Sequence, residues 1–189
     1  MKTLFDQNFF KSKWMTKIHS IFNCIGLRYI WNSESITLSA LNKNLHQRLT
    51  DANLQHWSSD LEQNILCINY KIFKSDFGFE PYLSLLSPDL RIALCRYRCG
   101  YHNLPISNKR YEPIDDRNQC PLCQSDVGDE YHYLFSCPAF DTFREKYINK
   151  SFYTRPNCVQ YKILMNSSSK KTLVNLSIFV KFILHVFRP

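Results

Sequence analysis

Glycine is scarce in this chain, with four among 189 residues. An all-β fold draws on glycine for its many tight turns, so the shortage points toward helices. Long apolar runs are missing as well. The most apolar stretch, Leu173 to Phe187, is interrupted by Asn175, Lys181 and His185 and falls short of the about 20 residues a bilayer requires, so no membrane span is expected. A secretory leader is not evident: Met1 to Trp14 carries Lys2, Asp6, Lys11 and Lys13 and has no apolar core region. The eight cysteines therefore read as thiols in a reducing intracellular compartment and not as a disulfide framework. Internal repeats and low-complexity linkers are missing, and Lys170-Lys171 is too short a basic run for a targeting signal.

What is present is a folding composition, 44% apolar and 15% aromatic, with enough length for a sizeable core. Four residues specify chemistry. Cys120, Cys123, His132 and Cys137 give C-x2-C-x8-H-x4-C. Three thiols and an imidazole at this spacing match a closed tetrahedral site for one structural zinc ion, whereas a catalytic zinc keeps a position open for water. Pro121 and Leu122 allow a tight knuckle, and Gly128 supplies a turn through its tolerance of positive φ. Glu130 to Phe135 reads as a short strand with His132 on one face and Tyr131 and Tyr133 on the other. Pro138 suits the start of a helix reaching Tyr147 or Ile148, which places Cys137 at a helix N-terminus where the dipole favours a thiolate. Cys24, Cys67, Cys95, Cys99 and Cys158 sit among apolar neighbours and are expected in the core.

Apolar spacing predicts a helix from Phe9 to Cys24 stopped by Gly26, then helices over Ile36 to Leu49 and Asp51 to Leu66, the second capped by Thr50 or Asp51. In residues 67–80, Tyr70, Ile72 and Phe73 suit a strand or an extended segment. Ser87-Pro88 starts a helix over Asp89 to Cys99 that Gly100 closes, with Leu90, Ala93, Leu94 and Tyr97 on one face. From His102 to Gln119 the chain reads as a loop. The last helix is amphipathic: Leu173, Leu176, Phe179, Val180, Ile183 and Phe187 oppose Lys171, Asn175, Lys181, His185 and Arg188. The fold class is mainly α, a helical bundle-like domain carrying a small zinc-stapled β-hairpin and helix module. The expected division is 1–110, 111–150 for the zinc module, and 151–189 for a basic tail packing on the rest. The broad apolar side of the last helix also offers a protein partner a docking face.

The formal net charge is +8, with +7 in residues 139–189, +4 in residues 1–31 and −3 in residues 119–138. An acidic hairpin grips phosphate poorly, because affinity for DNA or RNA comes mostly from Lys and Arg. Flanking residues are the expected contacts: Arg91, Arg96, Arg98, Lys109, Arg110 and Arg117 before the hairpin, and Arg144, Lys146 and Lys150 after it. His19, His46, His56, His102 and His185 have no Ser, Cys or carboxylate partner in a recognisable motif, so no catalysis is expected.

The run Arg91 to Ile106, with Arg117, Cys120-Pro-Leu-Cys123, Gly128-Asp-Glu-Tyr-His132 and Leu134-Phe-Ser-Cys-Pro138, resembles the zinc-binding region at the C-terminal end of non-LTR retrotransposon (LINE-type) reverse transcriptases. Leu49-Thr-Asp51, His56-Trp57 and Tyr70-Lys-Ile-Phe-Lys74 resemble the segment that joins polymerase to zinc region. The resemblance implies that Cys120, Cys123, His132 and Cys137 ligate zinc, and that the region helps a polymerase engage element RNA or target DNA. A polymerase centre itself is not expected. The only adjacent aspartates, Asp115-Asp116, follow Pro113-Ile114 in a loop without flanking apolar strands.

Overall fold

Polar residues that cap helices, and apolar residues three or four apart, account for most of the architecture. The computed structural model describes residues 13–31, 37–64, 67–108 and 119–188. Among the described residues it is mainly α, with 11 helices and one isolated antiparallel bridge. No described helix is long and apolar enough to cross a membrane. The chain forms two units, Met1–Asp60 and Leu61–Pro189. Leu104, Phe135, Tyr161 and Leu176, drawn from all three segments divided at 110 and 150, share a single buried cluster.

In Met1–Asp60, α1 (Lys13–Cys24) ends where Gly26 takes φ 71°. The Leu27 N–H then bonds the Phe22 carbonyl at 2.8 Å, a helix stop that only the chain reversal at glycine permits. Phe22, Ile25, Leu27 and Ile30, the last on α2 (Arg28–Trp31), form a small core against Met15, Ile18, Leu41, Leu45 and Ala52. The two helices expected between 36 and 66 are one, α3 (Leu38–Gln63). Thr50 does not stop it, because its hydroxyl donates to the His46 carbonyl at 2.9 Å while Gln47 donates to the Asp51 carboxylate at 2.9 Å. Polar side chains satisfied within the helix have no reason to cap. Residues 9–12, Ile36, Ile65 and Leu66 lie outside the described residues.

In Leu61–Pro189, residues 67–73 are helical and not extended: α4 (Ile68–Phe73) buries Phe73 and Asn69. Asn69 donates to the Tyr97 carbonyl at 3.0 Å and accepts from the Tyr161 hydroxyl at 3.2 Å, so its burial leaves no amide unpaired. The short α5 (Tyr82–Leu85) precedes α6 (Pro88–Arg98), which starts with Pro88 at its first position and closes on Gly100 at φ 66°. After the metal region come α7 (Glu130–Phe135), α8 (Asp141–Tyr147), α9 (Lys150–Tyr153) and α10 (Cys158–Met165). The last helix, α11 (Lys170–Val186), packs on α6, α8 and α5. Its Leu173, Leu176, Phe179, Val180 and Ile183 are fully buried, each stabilising the unit by roughly 1.5–3 kcal/mol. The apolar side of α11 is thus used by the chain's own core.

No disulfide forms among the described residues. Of the five thiols outside the Cys/His cluster, all expected in the core, Cys95 is half-buried and packs against it, Cys67 and Cys99 are half-buried, and Cys24 and Cys158 are exposed.

Candidate metal centre

Cys120-Pro-Leu-Cys123 makes a tight turn that the following chain closes. The Gln124 N–H bonds the Cys120 carbonyl at 2.9 Å, and the Cys120 N–H bonds the Asp126 carbonyl at 2.8 Å. Gln119 and Val127 then form the one described β-bridge. The positive φ falls on Gln124, at 56°, and not on Gly128. Gly128 is needed for another reason. A Cβ there would lie 2.5 Å from the Tyr133 hydroxyl and 3.0 Å from Pro105 Cγ.

The expected strand over Glu130 to Phe135 is the helix α7, so the hairpin is reduced to its bridge. Asp129 caps this helix by accepting the His132 N–H at 2.7 Å. Tyr131 and Phe135, one helical turn apart, stack edge to face at 5.1 Å, a pairing that an alternating strand would not make. Cys137 then caps the 3-10 turn Pro138–Phe140 that leads into α8, so its predicted place at a helix N-terminus holds.

These turns gather the four donors. One atom each from Cys120, Cys123, His132 and Cys137 lies within 4.8 Å of every other, and the four could hold one metal ion. Cys120 Sγ and Cys137 Sγ are 3.8 Å apart, and Cys123 Sγ and His132 Nε2 3.3 Å. A tetrahedral ion with metal–sulfur bonds of about 2.3 Å has sulfur–sulfur edges of about 3.8 Å, whereas a disulfide bond is about 2.05 Å long.

Two orphaned polar atoms test the fit. His132 Nδ1 and the Tyr133 hydroxyl are buried without a hydrogen-bond partner among the described residues. With Nε2 turned to the thiols, Nδ1 faces the Asp126 carboxylate at 3.7 Å, the carboxylate–imidazole arrangement that orients a ligating histidine. The Tyr133 hydroxyl lies toward Cys120, and burial followed by that thiol pushes its pKa up. A metal-bound Cys120 thiolate would give this hydroxyl an acceptor.

In the bare site the thiols differ. Burial, followed by the Cys120 thiol, pushes Cys137 up to about 12, although the Ala139 backbone N–H works the other way. At Cys123 burial is outweighed by hydrogen bonds from Ser125 and from the Cys120 and Cys137 thiols, so its pKa is lowered. Burial also holds His132 below its ordinary value, which favours the neutral imidazole a metal requires.

The three acids that made this segment look repellent to phosphate all have internal tasks. Asp126 faces His132 and Asp129 caps α7. Glu130 accepts from His102 Nε2 at 2.8 Å. The sequence offers His102 no recognisable motif because its carboxylate partner lies 28 residues away. Its Nδ1 accepts from the Leu104 N–H at 3.4 Å and pairs with the Ser107 hydroxyl at 2.8 Å. The Tyr97 hydroxyl also donates to the Glu130 carbonyl. This buried chain joins the end of α6 to the metal helix.

The basic residues separate by burial. Arg98 is 1% exposed. It pairs with Glu80, donates to the Met165 carbonyl and lies 4.4 Å over the Phe73 ring. Arg144 is buried too, donating to the Leu134 and Cys137 carbonyls at 2.9 and 2.8 Å and pairing with Asp141. It closes the C-terminal end of α7. Both were expected to contact nucleic acid, and both are instead buried internal braces: Arg144 donates from all three guanidinium nitrogens, whereas Arg98 donates from its two terminal nitrogens and its Nε has no partner among the described residues. Arg91 is half-buried and donates to the Leu86 carbonyl at 3.0 Å. Arg96, Lys146 and Lys150 are exposed. Lys109, Arg110, Arg117 and the Asp115-Asp116 pair lie outside the described residues. Comparison with known proteins finds no matching family model, no matching curated protein and no matching solved structure.

Proposed function

We propose that Cys120, Cys123, His132 and Cys137 bind one structural Zn2+, and that the zinc holds together a module that contacts RNA or DNA without catalysis of its own. The observation carrying the zinc reading is the convergence of four soft and borderline donors within 4.8 Å of one another. Three thiolates and an imidazole in a closed tetrahedron suit zinc and leave no position for substrate or water. Calcium and magnesium take oxygen ligands.

The nucleic-acid reading rests on the net charge of +8, on the exposure of Arg96, Lys146 and Lys150, and on the resemblance to the zinc-binding region of LINE-type reverse transcriptases. By that resemblance the module assists a polymerase in engaging element RNA or target DNA. Zinc acts through position: it fixes α7, and through His102 and Arg144 the helices on either side.

Elemental analysis of protein purified without chelator tests the metal. One zinc per chain, with three thiols becoming reactive on chelation, supports the site. No zinc, with thiol reactivity unchanged by chelator, sinks it. Binding of the zinc-loaded chain to labelled oligonucleotides across a salt series tests the second part, and affinity that ignores salt counts against it.

A further inference from the structure

Backbone geometry places an exposed aromatic ring beside an exposed cation at the end of α6. Gly100 at φ 66° reverses the chain. The Gly100 N–H bonds the Tyr97 carbonyl at 3.3 Å, and the Tyr101 N–H bonds the Arg96 carbonyl at 2.8 Å. This paired helix stop usually folds an apolar residue back onto the helix. Here the residue after glycine is Tyr101, 76% exposed, and the residue it is tied to is Arg96, also exposed.

The same end of α6 lines a cavity of about 510 Å³ with α11. Helical spacing supplies both walls. Asp89, Ile92 and Arg96 recur at three- and four-residue intervals on α6, and Lys181, Leu184 and Arg188 do so along α11 and its final turn. Three cations from two separate parts of the sequence, Arg96 on one and Lys181 and Arg188 on the other, therefore border one hollow. Lys181 reaches Asp89 at 3.4 Å, but this pair is exposed and holds Lys181 only weakly. Asn103 adds an amide to the rim.

We infer that this groove between α6 and α11 receives a single strand of nucleic acid, its phosphates on Arg96, Lys181 and Arg188 and a base stacked on Tyr101. The inference rests on the nucleic-acid reading above and adds where the strand lies. A cationic groove that tracks the backbone, with an aromatic face for a base, is the arrangement that binds unpaired strands. A duplex keeps its bases stacked on one another and has none to offer Tyr101. Because the backbone bonds at Gly100 fix where the Tyr101 side chain leaves the chain, only its two side-chain torsions remain to be ordered on stacking.

The test uses the full-length, metal-loaded chain with labelled oligo(U) and oligo(dT) of about 15 nucleotides and a duplex of equal length. Reversing Arg96, Lys181 and Arg188 to Glu together should weaken single-strand binding by about 100-fold or more and flatten the salt slope by about 2, near 0.7 per phosphate contact. Tyr101→Ala should weaken it by about tenfold with the salt slope unchanged, and Tyr101→Phe should restore it. A control reversing Lys13, Lys17 and Lys162 makes the same change in charge outside the groove and should retain affinity within about threefold. If the control loses as much as the groove variant, attraction is diffuse and the groove is overturned. Equal duplex binding together with a neutral Tyr101→Ala overturns the single-strand assignment. No salt-dependent binding by the unaltered chain overturns the nucleic-acid reading itself. The oligo(U) and oligo(dT) arms separate RNA from DNA as the source of the strand. Should the triple variant fail to fold, Arg188→Glu and Tyr101→Ala, both at exposed positions, carry the test alone.

Discussion

α1 and α6 end on the same backbone device, Gly26 at φ 71° and Gly100 at φ 66°, with matching bonds donated by each glycine and by the residue after it. In Met1–Asp60 the residue after glycine is Leu27, 1% exposed and clustered with Phe22. In Leu61–Pro189 it is Tyr101, which faces out. The units differ in the same sense. The first spends its helix stop on completing a core of four buried side chains. The second already has a core that includes Leu94, Tyr133, Tyr161 and Leu176, together with the Cys/His cluster, so its helix stop is free for display. Local backbone chemistry sets where a helix ends, and the surrounding core decides what that end is used for.

The largest effect expected from this contrast follows removal of a ligand. Cys137→Ser or chelation should abolish the cooperative transition of Leu61–Pro189, since metal binding contributes on the order of 10 kcal/mol in small metal-folded modules, as much as a whole domain's stability. Hydrogen exchange should lose protection in α7 and α10 and keep it in α1. Equal loss in α1 would mean the two units stand or fall together. Next in size, Arg98→Met should cost about 3 kcal/mol in denaturant unfolding, because Glu80 and the Met165 carbonyl lose a buried partner. Arg96→Met, two residues earlier and exposed, should change stability by less than about 0.5 kcal/mol. Similar values for both would contradict the division of basic residues by burial.

Gly128→Ala should cost about 1–3 kcal/mol by pushing the Tyr133 hydroxyl away from Cys120. At Gly78 nothing lies within 4 Å of the added carbon, so Gly78→Ala should leave the melting temperature nearly unchanged. Gly26→Ala and Gly100→Ala should each cost about 1–2 kcal/mol, the strain of a side chain in the left-handed region. Their difference should appear in binding, where Gly100→Ala weakens oligonucleotide affinity and Gly26→Ala does not.

The elements that could be read in the sequence are those whose signals are local. The stop at Gly26, the Ser87-Pro88 start, the Gly100 closure and the apolar side of α11 are all where the spacing puts them. So is the convergence of the four donors. The errors share a cause. Tyr131 and Tyr133 flanking His132 imitate strand alternation, and only the Asp129 cap and the contacts of Tyr131 with Phe135 and Tyr161 select a helix. Thr50-Asp51 resembles a cap, but its polar groups find partners within the helix. Arg98 and Arg144 looked like surface cations because their acceptors include backbone carbonyls, Met165 for one and Leu134 and Cys137 for the other, which sequence pattern does not reveal. The joining of His102 to Glu130 spans 28 residues and leaves no periodic trace.

Unequal exposure within the donor set has a kinetic consequence. Cys120, His132 and Cys137 are buried, and Cys123, on the knuckle, is half-buried. In a metal-loaded site a competing chelator would meet the Cys123 corner first. With a metal held there, Cys123 would be the first donor open to displacement, and Cys120, His132 and Cys137 would be shielded. Metal loss would then start at the turn around Leu122, the least buried part of the donor set.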